Sequence, residues 1–239
     1  MHRLVLLPLL VVSAACAARA TPPPVAPAVP AAVPDAIRWV QQSAEHRAAF
    51  LQVYRLAAAH VDRAASGRAA GTWAVVLDAD ETVIDNSTYQ LERARVGAGF
   101  SPATWNAWVQ RRAATPLPGA ADFLARVREL GGRIAIVTNR LQSECDDTAA
   151  VFQTHALPYD AMLCRPDGSP SDKNPRFAAV AAGQTPAGRQ PLEVVAFLGD
   201  NIQDFPGLTQ AAATGPASGF ADFGVRYFVL PNPMYGSWQ

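Results

Sequence analysis

The stretch "AVVLDADETVIDNS", residues 74–87, decides the fold. Four apolar residues run straight into Asp78, Asp80 and Glu81, three carboxylates within four positions. An apolar run of this kind reads as a buried strand, and a buried strand does not end in bare negative charge. Like charges a few ångströms apart repel, and loss of water makes the repulsion worse. Two carboxylates at such a place need a counter-charge.

Working outward, four more short apolar runs share the character of the first, "WAVVLD" (73–78): "RIAIVT" (133–138), "AMLC" (161–164), "VVAFLG" (194–199) and "RYFVL" (226–230). Helical patterns separate them. Near-continuous apolar strands alternating with helices predict an α/β fold, a Rossmann-like parallel sheet with helices on both faces. Ahead of the first strand, residues 35–64 carry Ile37, Val40, Ala44, Ala48, Leu51 and Tyr54 at helical spacing behind Asp35 as N-cap, which predicts one long helix or a broken pair. A modest, mainly helical insert is expected at about 85–116. No internal repeat is present.

In a sheet of this type the ligand site lies beyond the carboxyl ends of the strands. The first strand ends in Asp78, with Asp80 and Thr82 beyond it. The second ends in Thr138, followed by Asn139 and Arg140; Lys173 follows the third; the fourth ends in Gly199 and then Asp200, Asn201 and Asp204. Hard oxygen donors and one cation are therefore gathered at one end, a set suited to Mg²⁺ and phosphate.

These residues resemble the haloacid dehalogenase (HAD) superfamily of phosphotransferases. "DADET" matches its first motif, Asp-x-Asp-x-Thr, Thr138 the second, Lys173 the third and "GDNIQD" the fourth. "WVQQSAEH", "DADETVIDNS", "VTNR", "KNPRF", "GDNIQDF" and "LPNPMYGSW" are further similar to the bacterial class C acid phosphatases, the lipoprotein e family of 5′-nucleotidases, over residues 39–238. The resemblance implies that Asp78 is the nucleophile, forming an aspartyl-phosphate, and that Asp80 is general acid and base. It implies that Thr138 and Lys173 bind the transferring oxygens. Mg²⁺ would be held by the side chains of Asp78 and Asp200 and the backbone carbonyl of Asp80, and Asp204 would steady Lys173 or a metal-bound water. Trp105 and Tyr235 would sandwich a nucleobase, with Trp108 a packed anchor, and Asn139 and Arg140 are candidates to support the bound phosphate. Asp85 and Asn86 read as shaping the turn after the first motif, outside the ligand set. A second acid at Asp80 points to an alkoxide leaving group, hence a phosphatase. The expected substrates are 5′-nucleotides or nicotinamide mononucleotide. Sugar, lipid or protein phosphoesters are the alternative, and a non-catalytic surface lipoprotein is the rival outside enzymology.

Twenty basic and 20 acidic residues in 239 leave no net charge, which argues against a nucleic-acid polymer as partner. Residues 1–20 have a basic start, a short apolar run and small residues, the layout of a bacterial export signal too short to span a bilayer. Two cleavage sites compete. "VSAAC" ending at Cys16 resembles a lipobox and would give an outer-membrane lipoprotein; Ala18-Arg19-Ala20 would release a soluble periplasmic protein. The Pro/Ala-rich residues 21–34 read as an extended linker, so the only expected membrane contact is a lipid at Cys16. Cys145 and Cys164 could pair in an oxidising compartment; two small buried hydrophobes is the favoured reading, and the pairing is left open to geometry. The oligomeric state is left open, a homodimer included.

Overall fold

The protein is described from a computed structural model covering residues 32–185, 188 and 190–239. The export signal, Cys16 and most of the linker lie outside these residues. The elements are α1 (Asp35–Gln42), α2 (Ala44–Ala65), β1 (Trp73–Leu77), β2 (Ile84–Asp85), α3 (Ser87–Arg95), α4 (Pro102–Gln110), β3 (Thr115–Pro116), α5 (Ala120–Glu129), β4 (Arg133–Leu141), α6 (Cys145–Thr154), β5 (Ala161–Arg165), α7 (Asn174–Ala181), β6 (Glu193–Gly199) and β7 (Tyr227–Val229). All five expected strands are present, and they form one parallel sheet in the order β5-β4-β1-β6-β7.

Alternation along the strands explains why they look uniformly apolar in sequence. Val75, Leu77, Ile134 and Ile136 face one side, against Phe50, Tyr54 and Val61 of α2 and Phe123, Leu124 and Val127 of α5. Ala74, Val76, Ala135 and Val137 face the other, against Phe177 and Val180 of α7 and Phe205. Both faces are covered, so no polar position survives between them. Truncating one of these fully buried side chains, such as Leu124, to alanine costs about 2–5 kcal/mol.

The N-terminal pattern resolves as a broken pair. Ser43 is extended and its hydroxyl accepts from the His46 amide, capping α2 and ending α1. Asp35 is the first residue of α1 rather than its cap, and Pro34 precedes it. Between β1 and α5, β2 and β3 pair antiparallel, Ile84 against Pro116 and Asp85 against Thr115, and close the base of a unit formed by α3 and α4. Ser101 caps α4 with Pro102 as its first residue, which fixes the helix that carries Trp105 and Trp108.

The cysteine pairing left open by the sequence is decided here, against the favoured reading. Cys145 and Cys164 are joined by a disulfide, with Cα atoms 6.0 Å apart. Cys145 opens α6 one short 3-10 turn (Gln142–Glu144) after β4, and Cys164 lies near the carboxyl end of β5, which pairs with β4. The return of the chain through α6 brings the two to the same end of adjacent strands, a closeness that follows from the crossover and not from local pattern.

Candidate active site

The chain leaves β1 toward β4 on one side and later returns to β6 on the other, so β1 and β6 flank the point where strand order reverses. The Asp78 amide donates to the Leu198 carbonyl at 3.0 Å, which sets the end of β1 beside the end of β6. A crevice opens at such a point, and Asp78 and Asp200 stand at it.

Carboxylate oxygens of Asp78, Asp200 and Asp204 lie within 4.8 Å of one another. Lys173, buried at the start of α7, donates to Asp78 Oδ1 and, at 2.6 Å, to Asp204 Oδ1. The other oxygen of Asp204 accepts the Asn201 amide at 2.9 Å. Gly199 makes that turn feasible: a Cβ there would sit 2.2 Å from the Asp204 Cβ. Burial works against the Lys173 ammonium, but Asp204 and Asp78 outweigh it and hold its pKa above the ordinary value.

The carboxylates are less well compensated. Burial pushes the Asp78 carboxyl up to about 7; Lys173 opposes this, while Asp204 and Asp80 add to it. Burial also pushes Asp200 well up, with Asp204 and Asp78 adding. Asp200 accepts from Asn232 Nδ2 at 2.8 Å and from the Thr82 hydroxyl at 3.4 Å. The Asp80 carbonyl accepts no hydrogen bond among the described residues, while the neighbouring Ala79 carbonyl accepts two. Three clustered carboxylates and an open carbonyl are hard oxygen donors with positive charge in short supply, and they fit a divalent cation.

The Asp80 side chain points to a different partner. Its Oδ1 accepts from Arg140 Nη2 at 2.8 Å, Arg140 Nε at 3.0 Å and Asn86 Nδ2 at 2.8 Å. The Arg140 side chain is 1% exposed. It also donates to the Thr148 hydroxyl and to Asn86 Oδ1. This corrects the expectation for Arg140: four of its five N–H donors are used inside the protein, and the side chain holds Asp80 rather than a bound phosphate. Asn86 is corrected as well, since it is fully buried and bonded to the Asp80 carboxyl rather than only shaping a turn. Asp85, by contrast, accepts the Ser87 amide at the start of α3.

Thr138 is buried within β4, three residues before its end, and its hydroxyl accepts the Arg140 amide at 3.1 Å. Asn139 Oδ1 accepts from Arg176 Nη2 at 2.6 Å, leaving its amide N–H groups to offer. Arg176 also donates to the Thr138 carbonyl, tying α7 to the end of β4. Trp105 is half-buried: its ring meets Tyr89 edge-on at 5.2 Å, and the Arg140 guanidinium lies 5.3 Å from its centre. Tyr235 is half-buried in the C-terminal segment, which the Ser237 hydroxyl ties to Asn201 Oδ1 at 2.7 Å.

Sequence reasoning missed Asn232, Arg176 and Asn86. All three lie inside quoted motifs, Asn232 between the two prolines of "LPNPMYGSW", so the signal for them was adjacency alone.

The family pattern described as HAD superfamily, subfamily IIIB (acid phosphatase) matches residues 14–238. Among solved structures, the class C acid phosphatase of Bacillus anthracis is similar at 30% identity, with a TM-score of 0.72, covering 85% of this chain and 84% of that one. The same Bacillus anthracis enzyme with tungstate bound is similar at 31% identity, with a TM-score of 0.74 and the same coverage.

Proposed function

Because this chain belongs to the subfamily IIIB acid phosphatases of the HAD superfamily and is a phosphoric monoester hydrolase, we propose that it cleaves 5′-nucleotides or nicotinamide mononucleotide through an aspartyl-phosphate on Asp78. The observation that carries the reading is the convergence of Asp78, Asp200 and Asp204 within 4.8 Å around Lys173. Tungstate is a tetrahedral oxyanion, and its presence in the Bacillus anthracis relative supports a phosphate site in this fold.

Lys173 fixes Asp78 through Oδ1, and no described residue bonds to Oδ2. Oδ2 is therefore the oxygen that attacks phosphorus, splitting one hard displacement into two easier ones. Lys173 stays charged because two carboxylates hold it so, and with Thr138 it meets the charge that builds on the transferring oxygens. Asp80 gives its proton to the departing alkoxide and takes one from the water that later attacks the phosphoenzyme. A Mg²⁺ ion held by Asp78, Asp200 and the Asp80 carbonyl would offset the negative charge of ester and nucleophile together. Asp204 holds Lys173, and Asn232 holds Asp200.

The nucleotide preference rests on Trp105 and Tyr235, each half-buried near the catalytic loops. A ring stacked on such a side chain gains roughly 1–3 kcal/mol whatever the base. In the same reading, Cys16 carries lipid and places the enzyme at the outer membrane; metabolic labelling with a tagged fatty acid, with Cys16→Ala as control, tests this. The test of function is phosphate release from 5′-nucleotides, nicotinamide mononucleotide, a sugar phosphate and a phosphopeptide, with EDTA or Mg²⁺, and Asp78→Asn as the blank. Turnover by Asp78→Asn within tenfold of wild type refutes the covalent route. Equal efficiency across the panel refutes the nucleotide preference and favours a broad-specificity phosphatase.

A further inference from the structure

Three hydrogen bonds converge on one oxygen of Asp80. Oδ1 accepts from Arg140 Nη2 and Nε and from Asn86 Nδ2 at 2.8, 3.0 and 2.8 Å, while Oδ2 has only a 3.2 Å contact to Arg140 Nε. The orientation of the Asn86 amide is fixed independently. Its Oδ1 accepts the indole N–H of Trp108 at 2.9 Å and Arg140 Nη2 at 3.0 Å, so Nδ2 must face Asp80. Trp108 is 2% exposed and belongs to α4, so a continuous path of hydrogen bonds runs from the insert to Asp80. Arg140 is anchored on its far side by the Thr148 hydroxyl, which itself donates to the Glu144 carbonyl at 2.9 Å.

We propose that Trp108, Asn86 and Arg140 are positioning residues that hold the Asp80 carboxyl by Oδ1 and so leave Oδ2 as the oxygen that serves the leaving group. The proposal rests on the reading of Asp80 as general acid. With Oδ1 taken up by three N–H groups, Oδ2 is the oxygen free to pass a proton to the leaving group. As Asp78 Oδ2 bonds to phosphorus, the phosphorus–oxygen bond of the ester breaks and its electron pair stays on the ester oxygen. The proton of Asp80 Oδ2 moves to that oxygen, giving the free alcohol. Asp80 is left as a carboxylate whose charge the donors on Oδ1 already meet. The insert would thus set the timing of proton delivery as well as the shape of the leaving-group pocket.

A proton donor matters in proportion to the basicity of the leaving group. An alkoxide needs the proton; 2,4-dinitrophenolate leaves without it. The experiment measures kcat/KM, which reports the steps through ester cleavage, for 2,4-dinitrophenyl, phenyl and simple alkyl phosphates in Mg²⁺. Wild type is compared with Trp108→Phe, Asn86→Ala, Arg140→Lys and the reference Asp80→Asn. General acid catalysis contributes about 10²–10⁴-fold. Asn86→Ala should therefore lose roughly 10- to 100-fold more on the alkyl ester than on the dinitrophenyl ester, a part of that range. Trp108→Phe keeps a ring in the core and removes one N–H; it should show the same skew at about 3- to 10-fold. If Asn86→Ala does not fold, Trp108→Phe carries the test. A skew in Asp80→Asn with uniform losses in the other three overturns the positioning role alone. No skew in Asp80→Asn, or no turnover of any ester by wild type, overturns the general-acid reading and this proposal with it.

Discussion

Asp78→Asn should stabilise the metal-free protein while abolishing turnover. The substitution swaps a buried carboxylate for a neutral amide of the same shape, and Lys173 keeps Asp204 and the new amide carbonyl as acceptors. Burial, with Asp204 and Asp80 against Lys173, raises the Asp78 carboxyl from 3.8 to about 7. The sign follows from which state holds the proton. Below about pH 4 the folded and unfolded chains are both protonated, and Asp78 adds no pH-dependent cost. Between about pH 4 and pH 7 only the folded chain keeps the proton, so stability falls as pH rises; above about 7 the folded chain carries the buried charge and the cost is complete. A shift of about 3 units at 1.36 kcal/mol each sets a ceiling of about 4 kcal/mol. At about 2–4 °C per kcal/mol for a domain of this size, that is roughly 10 °C in Tm. Thermal melts in EDTA at about pH 5 and pH 8 test it. The Asp78→Asn variant should melt higher than wild type by about 5–10 °C at the upper pH, with the gap less than half as large at the lower one. A variant no more stable than wild type at the upper pH, or a gap indifferent to pH, refutes the reasoning and makes Asp78 a structural carboxylate.

Asp200→Ala should need far more Mg²⁺ for activity or be inactive, and titration calorimetry should show weakened Mg²⁺ binding; unchanged binding would remove Asp200 from the ligand set. Trp105→Ala or Tyr235→Ala should lower kcat/KM on 5′-nucleotides by about ten- to a hundredfold, from the loss of roughly 1–3 kcal/mol of stacking, with much smaller losses on small aliphatic phosphates; equal losses on both would make the rings packing residues. The disulfide closes a loop with a separation of 19 residues. Its loss in Cys145→Ser/Cys164→Ser should cost about 3 kcal/mol, and a Tm equal to that of wild type would show that the bond contributes nothing.

The strands were legible because a sheet covered on both faces leaves no polar interruption in its members, and each expected run overlaps an observed strand to within three residues at either end. The clustered carboxylates were legible for the same reason: charge directly after such a run is conspicuous. Arg140 was legible as a site residue but not in its direction. β4 continues to Leu141, so successive side chains alternate across it: Asn139 reaches Arg176 on one side, while Thr138 and Arg140 share the other. That alternation turns Arg140 toward Asp80. Asn232 and the disulfide were illegible because each depends on where a crossover returns the chain. Asn232 meets Asp200 from 32 positions away, with no periodicity linking them.

The charge at the end of β1 also indicates where the missing counter-charge belongs. Asp80 is ion-paired with Arg140, and Asp204 with Lys173. Asp78 shares Lys173 with Asp204, and Asp200 has only amide and hydroxyl donors, Asn232 and Thr82. These two, together with Glu81 beside them, are the carboxyls that burial pushes upward. The shortfall of positive charge is thus not spread over the cluster but falls on the Asp78–Asp200 side, next to the open carbonyl of Asp80. A cation anywhere else would leave that shortfall standing. A monovalent ion would offset only one of the two carboxylates before the ester brings its own negative charge. Arg140 and Lys173 are already paired with carboxylates, so a divalent cation on the Asp78–Asp200 side would supply the positive charge that this part of the cluster lacks.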